Sequence, residues 1–91
     1  MYKETTKVIN KLGIHARPAS DLTIKAKEFT SEITIKKLDD PEAKEINAKS
    51  IMKILAASIT KGCRVEISAT GEDEKQAVME IVKLFESGFS E

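Results

Sequence analysis

The residues from Cys63 to Thr70 alternate strictly between apolar and polar side chains. A two-residue period of this kind is typical of a β-strand that has one face in the core and the other in water. A shorter alternation over Glu32–Lys37 repeats the pattern, and Tyr2–Ile9 follows it less regularly. Because each of these strands has only one apolar side, they predict a sheet with one buried face and one solvent-facing face.

Apolar residues with helical spacing follow the first strand. They recur at intervals of three, four and three positions, as Ala19, Leu22, Ala26 and Phe29. This spacing places them on one face of an amphipathic helix. Proline is tolerated in the first turn of a helix, so Pro18 predicts a start at about His15 or Ala16.

Two further helices are expected later in the chain. Ser50 is a good N-cap for a second helix over Ile51–Ile59, which Lys61-Gly62 would end. The acidic run Glu72–Glu74 suits the start of a third helix and is interpreted as its solvated first turn. Gly88 marks the end of this helix, whose predicted buried stripe is Ala77, Val78, Ile81, Val82 and Phe85.

The predicted elements follow the order β-α-β-β-α-β-α. A turn is expected at Asp39–Glu42, and a short returning strand at Ala43–Ile46. Three helices with one apolar face each imply a single layer that covers the buried face of the sheet. The predicted fold class is therefore α/β (α+β), a two-layer open-faced sandwich that forms one domain over residues 1–91.

The composition excludes several classes of function. The chain has 15 Lys and Arg against 15 Asp and Glu, and a net charge of zero argues against a nucleic-acid binder with a broad basic field. An RNA-binding sheet would need stacking aromatic residues, yet the chain has no Trp, one Tyr and three Phe. A single cysteine and a single histidine exclude an internal disulfide, a cysteine-rich metal cage and a multi-histidine metal site. We expect no metal and no other cofactor.

The apolar segments are too short for a membrane helix. The longest near-apolar stretch, Ile54–Ile59, is far below the roughly 20 residues that such a helix needs. Residues 1–7 lack the apolar core of a signal peptide. We therefore expect a cytoplasmic protein that does not insert into membranes, with Cys63 as a small core residue and Met79 on the surface.

The segment Gly13–Ala19 concentrates groups that suit phosphoryl chemistry. His15 is expected at the N-cap with its ring exposed, where a neutral imidazole can act as a nucleophile. The amides of Ala16 and Arg17 and the positive end of the helix dipole would form an anion site beside it. The guanidinium of Arg17 matches phosphate oxygens. An ordinary surface histidine beside a solvated arginine would explain each feature alone, but their combination favours a phosphoryl group carried on the imidazole.

The same segment resembles the active-site signature of a known family. Its residues, Gly-Ile-His-Ala-Arg-Pro-Ala, resemble those of the histidine-containing phosphocarrier family HPr, which belongs to the bacterial phosphoenolpyruvate:sugar phosphotransferase system. Asn47–Met52 is similar to the regulatory-serine region of HPr from Gram-positive bacteria. The resemblance extends over essentially the whole chain and includes the order of elements. It implies a four-stranded antiparallel sheet with three helices on one face.

The resemblance also implies a function. Enzyme I, charged by phosphoenolpyruvate, would phosphorylate Nδ1 of His15, and the phosphoryl group would pass to a histidine of a sugar-specific enzyme IIA domain. Arg17 and the amides of Ala16 and Arg17 would stabilise that group. The protein would be a monomeric transfer intermediate and not a stand-alone enzyme. Ser50 would be phosphorylated by an ATP-dependent HPr kinase/phosphorylase, which makes the carrier a poor substrate for enzyme I.

A docking surface is expected beside the histidine. Ser20, Ile24 and Lys27 on the first helix turn away from its core stripe. On the second helix, not all apolar residues can share the core face with Ile54 and Ile59, and those predicted to be exposed are Ile51, Met52 and Leu55. These residues predict an apolar patch for protein partners, rimmed by Arg17, Lys27, Lys49 and Lys53. The alternative is a short second helix that is buried on both sides.

Ser50 has two compatible interpretations. As an N-cap it stabilises a helix without any regulatory role. As a phosphorylation site it would add charge within the apolar patch and repel an apolar or acidic partner. The alternative function is therefore a regulatory effector whose Ser50-phosphorylated form binds a catabolite-control transcription factor. The chain departs from the resemblance at Leu12, where a small polar residue is common, and at Lys53.

Overall fold

The computed structural model describes residues 1–90. Within them, strands and helices occur in the predicted order. They are β1 (Tyr2–Lys7), α1 (Ala16–Ala26), β2 (Glu32–Lys37), β3 (Ile46–Asn47), α2 (Ile51–Ala56), β4 (Arg64–Thr70) and α3 (Glu74–Glu86), followed by a 3₁₀ turn at Gly88–Ser90. In this part of the chain no helix combines the length and the apolar character that a membrane span requires.

The four strands form one antiparallel sheet in the order β1-β4-β2-β3. β4 lies between β1 and β2, and its register pairs Val65 with Thr6 and Ile67 with Ile35. The inward residues of β4 and β2 are buried, while α3 packs on β1 and β4 and α1 packs on α2 and α3. The predicted open-faced sandwich with its helices on one side is confirmed.

The core includes the predicted helical stripes. Leu22 of α1 and Phe85 of α3 are fully buried, together with the other apolar residues of each stripe except the half-buried Val82. Cys63 is buried as expected, and this burial raises the pKa of its thiol. Met79 is exposed on α3. The helical spacing in the sequence therefore identified the core correctly.

Two strand boundaries differ from the prediction. β3 does not cover Ala43–Ile46 but only Ile46–Asn47, because residues 38–45 form a loop. Asp39 anchors this loop: its carboxylate accepts hydrogen bonds from the amide (2.8 Å) and the guanidinium (3.1–3.2 Å) of Arg64. β1 ends at Lys7 and not at Ile9.

α2 is also shorter than predicted, since it ends at Ala56 and not at Ile59. Ser58 adopts a left-handed conformation (φ 53°), which cannot continue a helix. The ammonium of Lys37 donates hydrogen bonds to the carbonyls of Ala57 (3.1 Å) and Ser58 (3.3 Å), so the helix end is satisfied by a cation from the sheet. Lys61-Gly62 therefore follows a turn and does not cap the helix.

The acidic run before α3 is not merely a solvated first turn. The carboxylate of Asp73 accepts hydrogen bonds from the amides of Thr30 (2.9 Å) and Ser31 (3.0 Å) and from the hydroxyl of Ser31. These bonds, first of all the one from the hydroxyl, lower the pKa of Asp73 to about 2. Asp73 thereby ties the loop between α1 and β2 to the start of α3, although the two segments are distant in sequence.

Gly13 allows the loop before α1 to pack tightly against the segment that follows α2. Its backbone is left-handed (φ 69°), and a methyl group on its α-carbon would lie 2.6 Å from the carbonyl oxygen of Ile59 and 2.9 Å from Cα of Thr60. At this distance the amide of Ile14 donates a hydrogen bond to the carbonyl of Ile59 (2.8 Å). Glycine is therefore required here by both conformation and space.

We expect Gly13→Ala to lower the free energy of unfolding by about 2–4 kcal/mol, because the left-handed backbone strain and the clash add. The matched control is Gly62→Ala: Gly62 is also left-handed (φ 87°), but among residues 1–90 a methyl group on its α-carbon would meet no atom within 4 Å beyond Gly62 itself and its two chain neighbours. That variant should lose only about 1 kcal/mol. Urea unfolding followed by circular dichroism measures both losses, and equal losses would contradict the close approach.

Asp73 predicts loss of stability in acid. Because its pKa is lowered to about 2 from the ordinary 3.8, its contribution is complete above pH 4 and disappears as the pH falls from about 4 towards 2. Asp73→Asn should lower the free energy of unfolding at pH 7 and flatten its dependence on pH within this window. Urea midpoints between pH 2 and pH 7 test this, with Glu72→Gln from the same turn as the control. An unchanged slope in Asp73→Asn would show that other carboxylates cause the acid sensitivity.

Candidate functional site

His15 is the N-cap residue of α1, as predicted. Its backbone is extended (φ −91°, ψ −162°), and its carbonyl accepts the first hydrogen bond of the helix from Ala19 (2.9 Å). The imidazole makes no capping hydrogen bond to the helix. The side chain is half-buried and not exposed as the sequence suggested. The His15 side chain therefore lies at the protein surface and is partly covered.

The first turn of α1 presents positive groups next to His15. The amides of Ala16 and Arg17 precede the first intrahelical hydrogen bond, so the helix supplies no acceptor for them. Pro18, which has no amide hydrogen, is buried and fixes the turn. No acidic residue lies in this turn, and none of the ion pairs within residues 1–90 involves the exposed Arg17. The positive helix end is therefore not compensated by a carboxylate of its own first turn.

The loop before His15 is held by an asparagine that the sequence patterns did not single out. Asn10 is buried, and its Nδ2 donates a hydrogen bond to the carbonyl of Gly13 (2.5 Å). The amide of Gly13 in turn donates to the carbonyl of Asn10 (3.1 Å). An asparagine three residues before a glycine was an available signal, because asparagine side chains commonly stabilise turns.

α1 and α2 lie side by side and run in opposite directions. At one end the amide of Ile14, just before α1, donates a hydrogen bond to the carbonyl of Ile59, just after α2 (2.8 Å). At the other end the ammonium of Lys49, just before α2, bonds the carbonyl of Phe29, just after α1 (2.7 Å). His15 and the α2 N-terminus therefore lie at opposite ends of α1, which with 11 residues is about 16 Å long.

Apolar side chains are exposed between these two ends. Met52 is 79% exposed and Ile24 is 60% exposed, and Ile51 and Leu55 are also exposed. On α1, Lys27 is exposed and Ser20 is half-buried, whereas Ile54 is the residue of α2 that enters the core. The alternative of a second helix buried on both sides is thus excluded. We call this surface the docking patch; it comprises Ser20, Ile24, Lys27, Ile51, Met52 and Leu55.

Ser50 begins α2 at the end of the docking patch remote from His15. Its Oγ accepts a hydrogen bond from the amide of Lys53 (3.4 Å), as expected of an N-cap. The side chain of Ser50 is half-buried and Lys53 is exposed. Lys49, which was predicted on the rim of the patch, is instead half-buried with its ammonium on Phe29.

Comparison with known proteins agrees with this arrangement. The chain matches the family model PTS-HPr, described as the PTS HPr component phosphorylation site, over residues 2–87. It is 37% identical to the phosphocarrier protein NPr of Escherichia coli K12, over 98% of this chain and 96% of that protein. It is also 41% identical to a multiphosphoryl transfer protein of Haemophilus influenzae over 96% of this chain, but it spans only 17% of that longer protein.

Solved structures show the same fold. An HPr from Thermoanaerobacter tengcongensis superposes with a TM-score of 0.89 at 40% identity, and the match covers 100% of this chain and 98% of that one. Crh of Bacillus subtilis, a catabolite repression protein solved as a swapped dimer, superposes with a TM-score of 0.73 at 32% identity over 96% of this chain and 95% of that one. With a family match that covers nearly all of its length and phosphocarriers among its relatives, the chain belongs to the HPr family of the phosphotransferase system, whose members are phosphocarrier proteins and not stand-alone catalysts.

Proposed function

We propose that this protein accepts a phosphoryl group on His15 from phospho-enzyme I and passes it to a sugar-specific enzyme IIA domain in the cytoplasm. The observation that carries the proposal is the position of His15 at the N-cap of α1, beside two amides that the helix leaves without acceptors and beside Arg17. A nucleophile, an anion site and a guanidinium are thus contributed by three consecutive residues.

The transfer of the phosphoryl group from enzyme I to His15 needs no further reactant. A lone pair on the imidazole of His15, at Nδ1 by resemblance to the family, attacks phosphorus, and the bond from phosphorus to enzyme I breaks with its electron pair leaving on enzyme I. The transferred group keeps its negative charge. The amides of Ala16 and Arg17 and the guanidinium of Arg17 would stabilise that charge during transfer. In the second transfer a histidine of enzyme IIA attacks phosphorus, and the bond from phosphorus to His15 breaks with its electron pair left on the imidazole, which returns His15 to its starting state.

The docking patch is the proposed contact surface for both enzymes. Its residues lie on α1 and α2, which pack side by side, and at the C-cap of α1, and its four aliphatic side chains are exposed. Exposed aliphatic residues in a continuous patch are typical of partner sites, and methionine adapts to more than one partner surface. This property suits a carrier that must bind a donor and an acceptor in turn.

Ser50 is the proposed regulatory site. It lies at the opposite end of α1 from His15, so a phosphate there would act on docking and not directly on the transfer step. The N-terminus of α2 would tolerate the added charge, because the helix dipole favours an anion at that position. We therefore expect phosphorylation of Ser50 to reduce partner binding while the fold is maintained.

A second candidate function rests on the same serine. The N-terminal end of the docking patch on α2 is remote from His15, so a partner could bind Ser50-phosphorylated protein there without contacting the imidazole. This geometry favours the alternative of a regulatory effector for a catabolite-control transcription factor. The two functions are separable, because only the carrier function requires His15.

Phosphorylation of His15 can be tested directly with radiolabelled phosphoenolpyruvate and enzyme I. The wild-type protein should form an acid-labile adduct, His15→Ala should form none, and Arg17→Ala should react at least about tenfold more slowly because one stabilising charge is lost. Lys75→Ala, which removes an exposed positive charge on α3, is the matched control and should react as the wild type does. A robust adduct on His15→Ala would overturn the assignment of the site.

The effect of charge at Ser50 can be separated from its capping role. Ser50→Asp keeps an N-cap and should change stability by less than about 0.5 kcal/mol, yet it should slow phosphorylation by enzyme I about tenfold through weaker binding. Ser50→Ala should lose about 1 kcal/mol of stability and keep the wild-type rate. Steady-state kinetics with enzyme I measure this, with Thr5→Asp on β1 as a charge control. A wild-type rate in Ser50→Asp would contradict the proposed regulation and leave the carrier function intact.

A further inference from the structure

The chain beyond α3 adopts an unfavourable backbone conformation. After the C-cap Ser87, three consecutive residues are left-handed: Gly88 (φ 67°), Phe89 (φ 57°) and Ser90 (φ 61°). Glycine adopts this conformation readily, but a residue with a side chain does so at an energetic cost, and consecutive residues of this kind are uncommon. Such a segment persists only where its contacts outweigh the strain. We call Gly88–Ser90 the hook.

Phe89 provides that compensating contact. Its side chain is buried, and its ring packs edge to face on Phe85 of α3 with 4.9 Å between centroids and 74° between planes. The left-handed turn folds the chain back and directs Phe89 into the core instead of letting the helix continue into solvent. The hook is therefore a packed part of the fold.

The hook lies against the loop that leads to His15. A methyl group placed on Gly88 would be 3.6 Å from Cγ1 of Ile9 and 3.9 Å from Cβ of Asn10, which are ordinary van der Waals distances. Asn10 is the buried residue whose amide nitrogen bonds the carbonyl of Gly13. Residues 88–90 thus pass close to the residue that holds the turn two positions before the phosphoryl acceptor.

The loop is consequently fixed on two sides. On one side the amide of Ile14 bonds the carbonyl of Ile59, and on the other side Gly88 lies within about one methyl group of Ile9 and Asn10. A turn clamped between two rigid segments can hold the following residue in one orientation, which matters because phosphoryl transfer depends on the alignment of the attacking nitrogen.

We infer that Phe89 and Asn10 are positioning residues for His15. Phe89 anchors the hook, the hook supports Asn10, and Asn10 fixes the turn that sets the orientation of the imidazole. Neither residue touches the phosphoryl group. The positioning role rests on the proposed function only in so far as it concerns the rate of transfer, since the orientation of the His15 ring is a property of the protein alone.

The test uses near-isosteric variants of the full chain. Phe89→Leu removes the edge-to-face contact, and Asn10→Asp replaces the amide donor to Gly13 by a carboxylate. Phe29→Leu is the matched control, because Phe29 is a buried aromatic residue at the opposite end of α1. Urea midpoints of all three report how much stability each loses, and NMR spectra of the free proteins report the ring resonances of His15.

We expect all three variants to be less stable, but only Phe89→Leu and Asn10→Asp to shift the ring resonances of His15. These two should also lower the rate of phosphorylation by enzyme I about tenfold, mainly in the maximal rate and not in KM, because misaligned reacting groups slow the transfer step. Unchanged His15 resonances in both, or changes equal to those in Phe29→Leu, would overturn the inference.

Two outcomes separate this inference from the proposed function. If wild-type protein is not phosphorylated on His15, the carrier function fails, while the ring resonances still decide the role of the hook. If Phe89→Leu does not fold, Phe89→Met replaces it, because methionine keeps an apolar side chain in the core but removes the edge-to-face ring contact with Phe85. Shifted His15 resonances in Phe89→Met would support the positioning role, and wild-type resonances would refute it.

Discussion

The functional site depends on the hydrogen bond from the amide of Ile14 to the carbonyl of Ile59, which joins the loop before α1 to the segment after α2. It forms only because Gly13 carries no side chain and takes a left-handed backbone, so that two stretches of backbone approach within van der Waals contact. The bond fixes the loop before α1 to the exit of α2. The start of α1, the direction of its dipole and the position of His15 follow from this attachment.

The two ends of α1 differ in the charged groups that lie beside them. Its N-terminal end presents amides and Arg17 without an acidic residue in the first turn, which suits a transient phosphoryl group. The antiparallel arrangement of α1 and α2 places the N-terminus of α2, with Ser50, at the other end. The two helices thus present two anion-tolerant ends separated by an apolar surface. On the proposed function, phosphoryl transfer would take place at one end of this surface and regulation at the other.

Most of the architecture could be predicted from side-chain periodicity. The alternation over Cys63–Thr70 predicted β4, and the apolar spacing in α1 and α3 predicted their buried faces. The errors were all at boundaries or in loops. α2 ends one turn early because Ser58 is left-handed, and Lys37 from the sheet bonds the carbonyls that follow the helix. Asp73 is not a simple surface acid because it bonds a distant loop. Contacts between residues far apart in sequence leave no local pattern.

The order of elements, most of the core and the position of His15 at the start of a helix are encoded locally, since they depend on residue propensity and on the period of apolar residues. The sequence also indicated, through Gly13–Ala19, the chemistry of the site. No local pattern shows that Gly88 lies near Asn10 in the loop before α1, or that Ser50 and His15 are at opposite ends of that helix. These relations arise from packing between segments that are distant along the chain, and packing is specified by the three-dimensional arrangement of many residues at once.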